Sequence, residues 1–154
     1  MKKTIHLTHG YVGYGKTTIS KNINAIRISN DDIRMILFGK NYLLNKIFKN
    51  KINELVWHLA ENAIRGGATD VLIESGNYKL RERKEYYERA LKFADRVIFH
   101  SVICDPDVAF LRTQERTKQG GLGMGKYRYY RRLKKYYQPM TKDEFPEIIF
   151  YDNN

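Results

Sequence analysis

The chain has 154 residues with 42% hydrophobic and 13% aromatic content, which suits one domain over residues 1–154 and excludes a disordered polymer. No apolar run is long enough for a membrane span, no signal-peptide core follows Met1-Lys2-Lys3, and a lone Cys104 excludes an internal disulfide, so a reducing cytoplasm is expected. The formal net charge of +11 attracts polyanions, nucleic acid among them, although a solvated lysine-rich surface gives the same number.

Thr4 to Thr8 reads as a short buried strand. It runs into Gly10-Tyr11-Val12-Gly13-Tyr14-Gly15-Lys16-Thr17, the G-x-x-x-x-G-K-T pattern of a Walker A phosphate-binding loop. Lys16 to Ala25 follows as a helix with Ile19 and Ile23 on one face. Ala25 to Ser29 reads as a second strand, and Asn30 to Phe38 as a helix ended by Gly39. Asn45 to Arg65 carries apolar residues at helical spacing until Gly66-Gly67 stops it. Asp70 to Glu74 is an apolar run ending in an acid, a buried parallel strand. Leu80 to Ala94 is a charged amphipathic helix, and Arg96 to Val102 a β-branched strand. Asp105 caps a helix with Pro106 in its first turn, running to about Lys118. Gly120 to Gly125 reads as a mobile loop, Lys126 to Gln138 as a basic, aromatic helix, and Glu147 to Tyr151 as a last strand.

This alternation predicts an α/β fold, a parallel sheet of about five strands with helices on both faces. Ligands of such sheets bind beyond the carboxyl ends of the strands, where the phosphate loop, Asp31 and Glu74 all lie. Glycines let a backbone wrap closely around phosphate oxygens. The loop through Gly10, Gly13, Tyr14 and Gly15, continuing into Lys16, Thr17 and Thr18, therefore predicts a nucleotide site for ATP or GTP. Lys16 would reach the β- and γ-phosphates, and the Thr17 hydroxyl would hold Mg²⁺.

With GYVGYGKT, S-N-D-D-I-R, V-L-I-E-S-G-N and L-R-T-Q-E-R in this order, nearly the whole chain resembles the small P-loop kinases. The resemblance is closest to the group of phage polynucleotide 5′-kinase, chloramphenicol phosphotransferase and zeta toxin. It implies a three-layer P-loop kinase fold with an arginine-bearing lid over about residues 107–126. It implies Asp31 as the general base that accepts the proton of an attacking hydroxyl. Arg34, three residues on, would hold an acceptor phosphate. Helix capping is the other role open to Asp31, though Ser29 or Asn30 could cap instead. Asp32 reads as a solvated acid. Arg112 and Arg116 share a helix face and would close over the nucleotide phosphates.

Glu74 stands where the family usually has aspartate; it would orient Mg²⁺ through water. Asn77 and Arg83 fall where the family places substrate-side residues. Lys126, Arg128, Arg131 and Arg132, interleaved with tyrosines, would follow a nucleic-acid backbone while rings stack on bases; a helix with tyrosines in the core and charges in water is the alternative. His9 reads as loop packing. The lysine-, asparagine- and isoleucine-rich composition suits an AT-rich genome such as a phage's, and no appended phosphatase domain is expected.

Three functions follow. One is a kinase acting on a hydroxyl of a nucleic acid, at a polynucleotide end or a modified base. The second is the same chemistry on a small molecule such as a nucleoside, sugar nucleotide or antibiotic. The third is a nucleotide-dependent binding module with little transferase activity. Composition is silent on the oligomeric state.

Overall fold

The computed structural model describes residues 1–39, 49–120 and 123–154. Five parallel strands form one sheet: β1 (Thr4–His9), β2 (Ile26–Ser29), β3 (Asp70–Glu74), β4 (Arg96–Ile103) and β5 (Ile148–Asp152). Their order is β2-β3-β1-β4-β5. The helices are α1 (Lys16–Lys21), α2 (Asn30–Phe38), α3 (Lys49–Arg65), α4 (Leu80–Ala90), α5 (Pro106–Lys118) and α6 (Lys126–Tyr136).

Residues paired across parallel strands point to the same face, and the pleat reverses at each step. Ile5 pairs with Val71 and Leu7 with Ile73. This apolar set faces α3, where Val56, Trp57, Ala60 and Ile64 are buried against it. The intervening positions carry Thr8, His6, Asp70 and Glu74 beside the buried Leu72, so the opposite face holds the buried polar groups of these strands. A second apolar cluster, around Tyr11, Tyr14, Ala109 and Tyr129, locks α5 and α6 onto the phosphate loop.

One cap forms as the sequence predicts, that of Asp105, and of the residues open to cap α2 it is Ser29 that does so. The Ser29 side chain accepts from the Asp32 amide at the start of α2, and Asp105 accepts from the Asp107 and Val108 amides at the start of α5. Several ends differ from the sequence reading. α1 stops at Lys21 rather than Ala25, because the chain must turn within Asn22–Ala25 to enter β2. α4 stops at Ala90. Beyond it the chain tightens into shorter turns, with Lys92 N donating to Arg89 O and Phe93 N to Ala90 O, while the apolar spacing continues to the buried Ala94. α6 stops at Tyr136; Tyr137 is extended, two residues before Pro139. β4 and β5 each run one residue further than read, to Ile103 and Asp152. The expected helical residues 45–48 lie outside the described residues, as do residues 121–122 of the glycine-rich loop.

Candidate active site

The Gly10–Thr17 loop connects β1 to α1 at the carboxyl edge of the sheet. Gly13 and Gly15 have φ of 85° and 95°, which L side chains rarely adopt. A Cβ at Gly13 would lie 2.4 Å from the Ala109 carbonyl oxygen, and one at Gly15 2.1 Å from the Asn153 amide nitrogen. The loop is therefore held between α5 and the residues after β5. Asn153 donates its amide hydrogen to Tyr14 O at 2.8 Å.

Lys16 lies within this cradle, its Nζ donating to Tyr11 O at 2.9 Å. Burial pushes its ammonium down to about 8; the charges of Asp31 and Glu74 oppose that shift, and Arg116 adds to it. Charges drawn from α2, β3 and α5 thus converge on Lys16 of α1.

Thr17 Oγ1 donates to Glu74 Oε1 at 2.5 Å. Ser20 Oγ and Arg27 Nε both donate to Glu74 Oε2 at 2.6 Å. Burial alone would raise the Glu74 pKa, but bonds from Ser20, Thr17 and Arg27 outweigh it and hold the carboxyl below its usual range. Arg27 also bridges to Asp32 at 2.7 Å. Asp32 is the solvated acid of the first turn that the sequence suggests, and it also pairs with Arg27.

Ser29 occupies the cap, which leaves the Asp31 side chain 78% exposed and 3.9 Å from Arg34 Nη1. The two arginines of α5 differ. Arg112 Nη1 donates to Cys104 Sγ at 3.4 Å, whereas Arg116 is exposed and its charge reaches Lys16.

Two expected substrate residues are corrected. Arg83 is 1% exposed and spends its donors on the protein. It forms a two-pronged pair with Glu144 at 2.8 and 2.9 Å and also donates to the carbonyls of Asn77, Tyr78 and Gln138. Asn77 is buried at φ 48° with its amide on Thr8 O, so it shapes the turn after β3. Arg83 is thus turned into the protein, and the Asn77 amide nitrogen is engaged by Thr8 of β1. His9 packs the loop, as read: it bonds Ser101 and Gln138 O, and burial first, then the Arg83 charge, lowers its pKa to about 3.

α6 resolves its two readings in part. Tyr129 is fully buried and donates to Val12 O at 2.8 Å; Tyr130, Leu133 and Tyr137 pack into the same cluster. Lys126, Arg128, Arg131 and Arg132 are exposed. At helical spacing Arg128, Arg132 and Tyr136 form one row along the edge of the buried face.

Sequence reasoning missed Ser20, Arg27, Tyr78 and Asn153. Period-2 alternation offered a signal for Arg27, since it puts Arg27 on the sheet face of Glu74, the residue paired with Ser29. Asn153, which reaches the loop from the far end of the chain, had none.

The AAA domain family matches residues 5–139. The chain belongs to this AAA domain family. Its fold is similar to that of a candidate kinase from Chloroflexus aurantiacus, with TM-score 0.77 at 15% identity over 99% of this chain and 89% of that one. It is similar to a chain of the Pnkp1/Rnl/Hen1 RNA repair complex, with TM-score 0.75 at 21% identity over 87% of this chain and 44% of that one. It is also similar to a gluconokinase from Sinorhizobium meliloti 1021, with TM-score 0.59 at 15% identity over 98% and 82%. Among the described residues, no helix is long and apolar enough to cross a membrane. This AAA domain thus carries a P-loop kinase fold, with its charged groups gathered at the carboxyl edge of the sheet.

Proposed function

We propose that this AAA domain is a kinase that moves the γ-phosphoryl group of ATP or GTP to a hydroxyl, most readily one on a nucleic acid. The observation that carries the reading is that Lys16 is held in the phosphate loop by Tyr11 O, where the charges of Asp31, Glu74 and Arg116 all reach it. A bound nucleotide supplies the phosphoryl group, and Mg²⁺ neutralises its charge.

The residues present fit both. Thr17 directs its hydroxyl hydrogen to Glu74, so the oxygen keeps its lone pairs for a hard cation. Glu74 then acts as the carboxylate that orients a metal-binding hydroxyl. Lys16 can exchange the Tyr11 carbonyl for phosphate oxygens. Asp31, freed from capping by Ser29, accepts the proton of the attacking hydroxyl. Arg34, three residues along α2, binds an anionic group of the acceptor. Arg116 stabilises charge as it develops on the phosphoryl group, and Arg112 flanks it.

A nucleic-acid acceptor is supported by the net charge of +11 and by the exposed cations of α6. The RNA-repair and gluconokinase likenesses, both under 25% identical, support the fold alone.

Asp31→Asn tests the mechanism. It should lower transfer by about 10²–10⁴-fold while nucleotide binding is unchanged. Full turnover in that variant would remove Asp31 from the chemistry.

A further inference from the structure

The end of α6 docks against the start of α4. Gln138 N donates to Tyr78 O, and the Gln138 side chain accepts from the Leu80 amide. This packing brings three cations around one half-buried ring. Lys79 Nζ lies 5.3 Å, Lys135 Nζ 5.2 Å and Arg132 Cζ 5.8 Å from the centroid of Tyr136. Among the described residues none of the three side chains is paired with a carboxylate. Three like charges gathered on one ring present a surface that attracts an anion. The Tyr136 hydroxyl is itself held below its ordinary range, chiefly by Lys135 and then by Arg132 and Lys79.

The cluster adjoins the candidate active site through Tyr78. That ring packs 5.2 Å from Tyr11 of the phosphate loop and lies 6.0 Å from Lys16 Nζ. Burial chiefly raises its phenol pKa; the Asp31 charge adds to that shift and the Arg132 charge opposes it, so both charges reach the ring. The cluster is therefore joined to the phosphate loop through Tyr78, the residue before Lys79.

We propose that Lys79, Arg132, Lys135 and Tyr136 form a single-strand track, in which the cations hold consecutive phosphates of a nucleic acid, a base stacks on Tyr136, and the strand's terminal hydroxyl is led to Asp31. The direction of the strand rests on the kinase reading above; the binding surface does not. The chemistry selects a single strand because an aromatic ring can take up only an unstacked base, and the cations follow a backbone of any sequence. Lys134 is the neighbour of Lys135 but lies on another face of the helix, so equal charge there should not serve the track.

The test measures binding of a fluorescent 5′-hydroxyl oligothymidylate across a salt series, without nucleotide, for the whole chain. Lys79→Ala, Arg132→Ala and Lys135→Ala should each reduce the log–log salt slope by about 0.7. Lys92→Ala, at an exposed position outside α6, and Lys134→Ala should leave it unchanged. Tyr136→Leu should weaken binding roughly tenfold with the slope kept. Unchanged melting temperatures exclude unfolding as the cause. Equal losses in all five cation variants would show diffuse attraction and overturn the track. Polyglutamate binding with the same slope and the same sensitivity to these variants would overturn a nucleic-acid ligand. Transfer of label from γ-labelled ATP is scored separately. The predicted binding pattern without any transfer refutes the kinase reading and keeps the track. Transfer to a nucleoside with no such pattern keeps the kinase and refutes the track.

Discussion

Arg83→Met separates an internal scaffold role from a substrate role for an arginine that sequence position places among the substrate contacts. The native guanidinium makes five hydrogen bonds, two to Glu144 and three to carbonyls. The side chains of Arg83 and Glu144 are 1% and 10% exposed. Methionine fills similar space but leaves the Glu144 carboxylate buried without its partner. Breaking such a pair costs about 3–5 kcal/mol. For a domain of this size each kcal/mol moves the melting temperature by about 2–4 °C, so a fall of about 6–20 °C is expected.

Calorimetry or far-ultraviolet circular dichroism measures it. The double variant Arg83→Met with Glu144→Gln should recover the part of the loss due to the uncompensated charge, while the three carbonyls stay without their donor; the amide oxygen of the new glutamine would still accept from the Thr141 amide, as the carboxylate does. Nucleotide affinity below the melting transition should be retained. An unshifted melting temperature combined with collapsed transfer would refute the reasoning and return Arg83 to the substrate.

The pKa of Lys16 yields a second prediction. Burial lowers it to about 8, so the free chain loses this positive charge as pH rises through that value. Affinity for ATP should therefore fall above about pH 8, and binding near pH 8 should take up a proton, detected as buffer-dependent heats in calorimetry. Stability moves the other way. Between about 8 and the ordinary lysine value the unfolded chain holds the proton and the folded one does not, so the Lys16 contribution to stability rises with pH. Lys16→Met should abolish both effects.

A third prediction concerns the polar face of the sheet. Asp70, His6, His100 and Tyr151 bond in series, at 3.0 Å, 2.9 Å and 2.7 Å. With both rings neutral the donors all point one way, from Tyr151 to Asp70. Tyr151→Phe leaves a buried imidazole nitrogen unpaired and should cost about 1–3 kcal/mol in denaturant unfolding. Burial, and then the His6 charge, lower the His100 pKa to about 4. Its contribution is therefore neutral above the ordinary histidine value and becomes destabilising as pH falls toward 4, which an acid series of melting temperatures measures.

The elements most legible in the sequence were those set by neighbours. The phosphate loop needs its glycines within eight residues. The Ser29 and Asp105 caps are local, and the β3 apolar run names its own burial. Arg83 and Asn77 misled because their partners are remote. Glu144 stands 61 positions after Arg83, and Thr8 stands 69 before Asn77, so no local pattern could show that their donors were already engaged. Glu74 is intermediate. Its place at a strand end was visible, but not the convergence of Thr17, Ser20 and Arg27 on it, which only the sheet order creates. α6 was ambiguous because the same tyrosines serve a core or a stacking platform. Tertiary packing buried Tyr129 and left Tyr136 among cations.

The central claim is phosphoryl transfer to a hydroxyl at the carboxyl edge of this sheet. γ-Labelled ATP and Mg²⁺ test it most directly, offered with 5′-hydroxyl DNA and RNA oligonucleotides beside a panel of nucleosides and sugars, with Lys16→Ala as the blank. The account predicts label on an oligonucleotide, lost in Lys16→Ala and in Asp31→Asn. Tight nucleotide binding with no label on any acceptor would contradict it, leaving a nucleotide-dependent binding module.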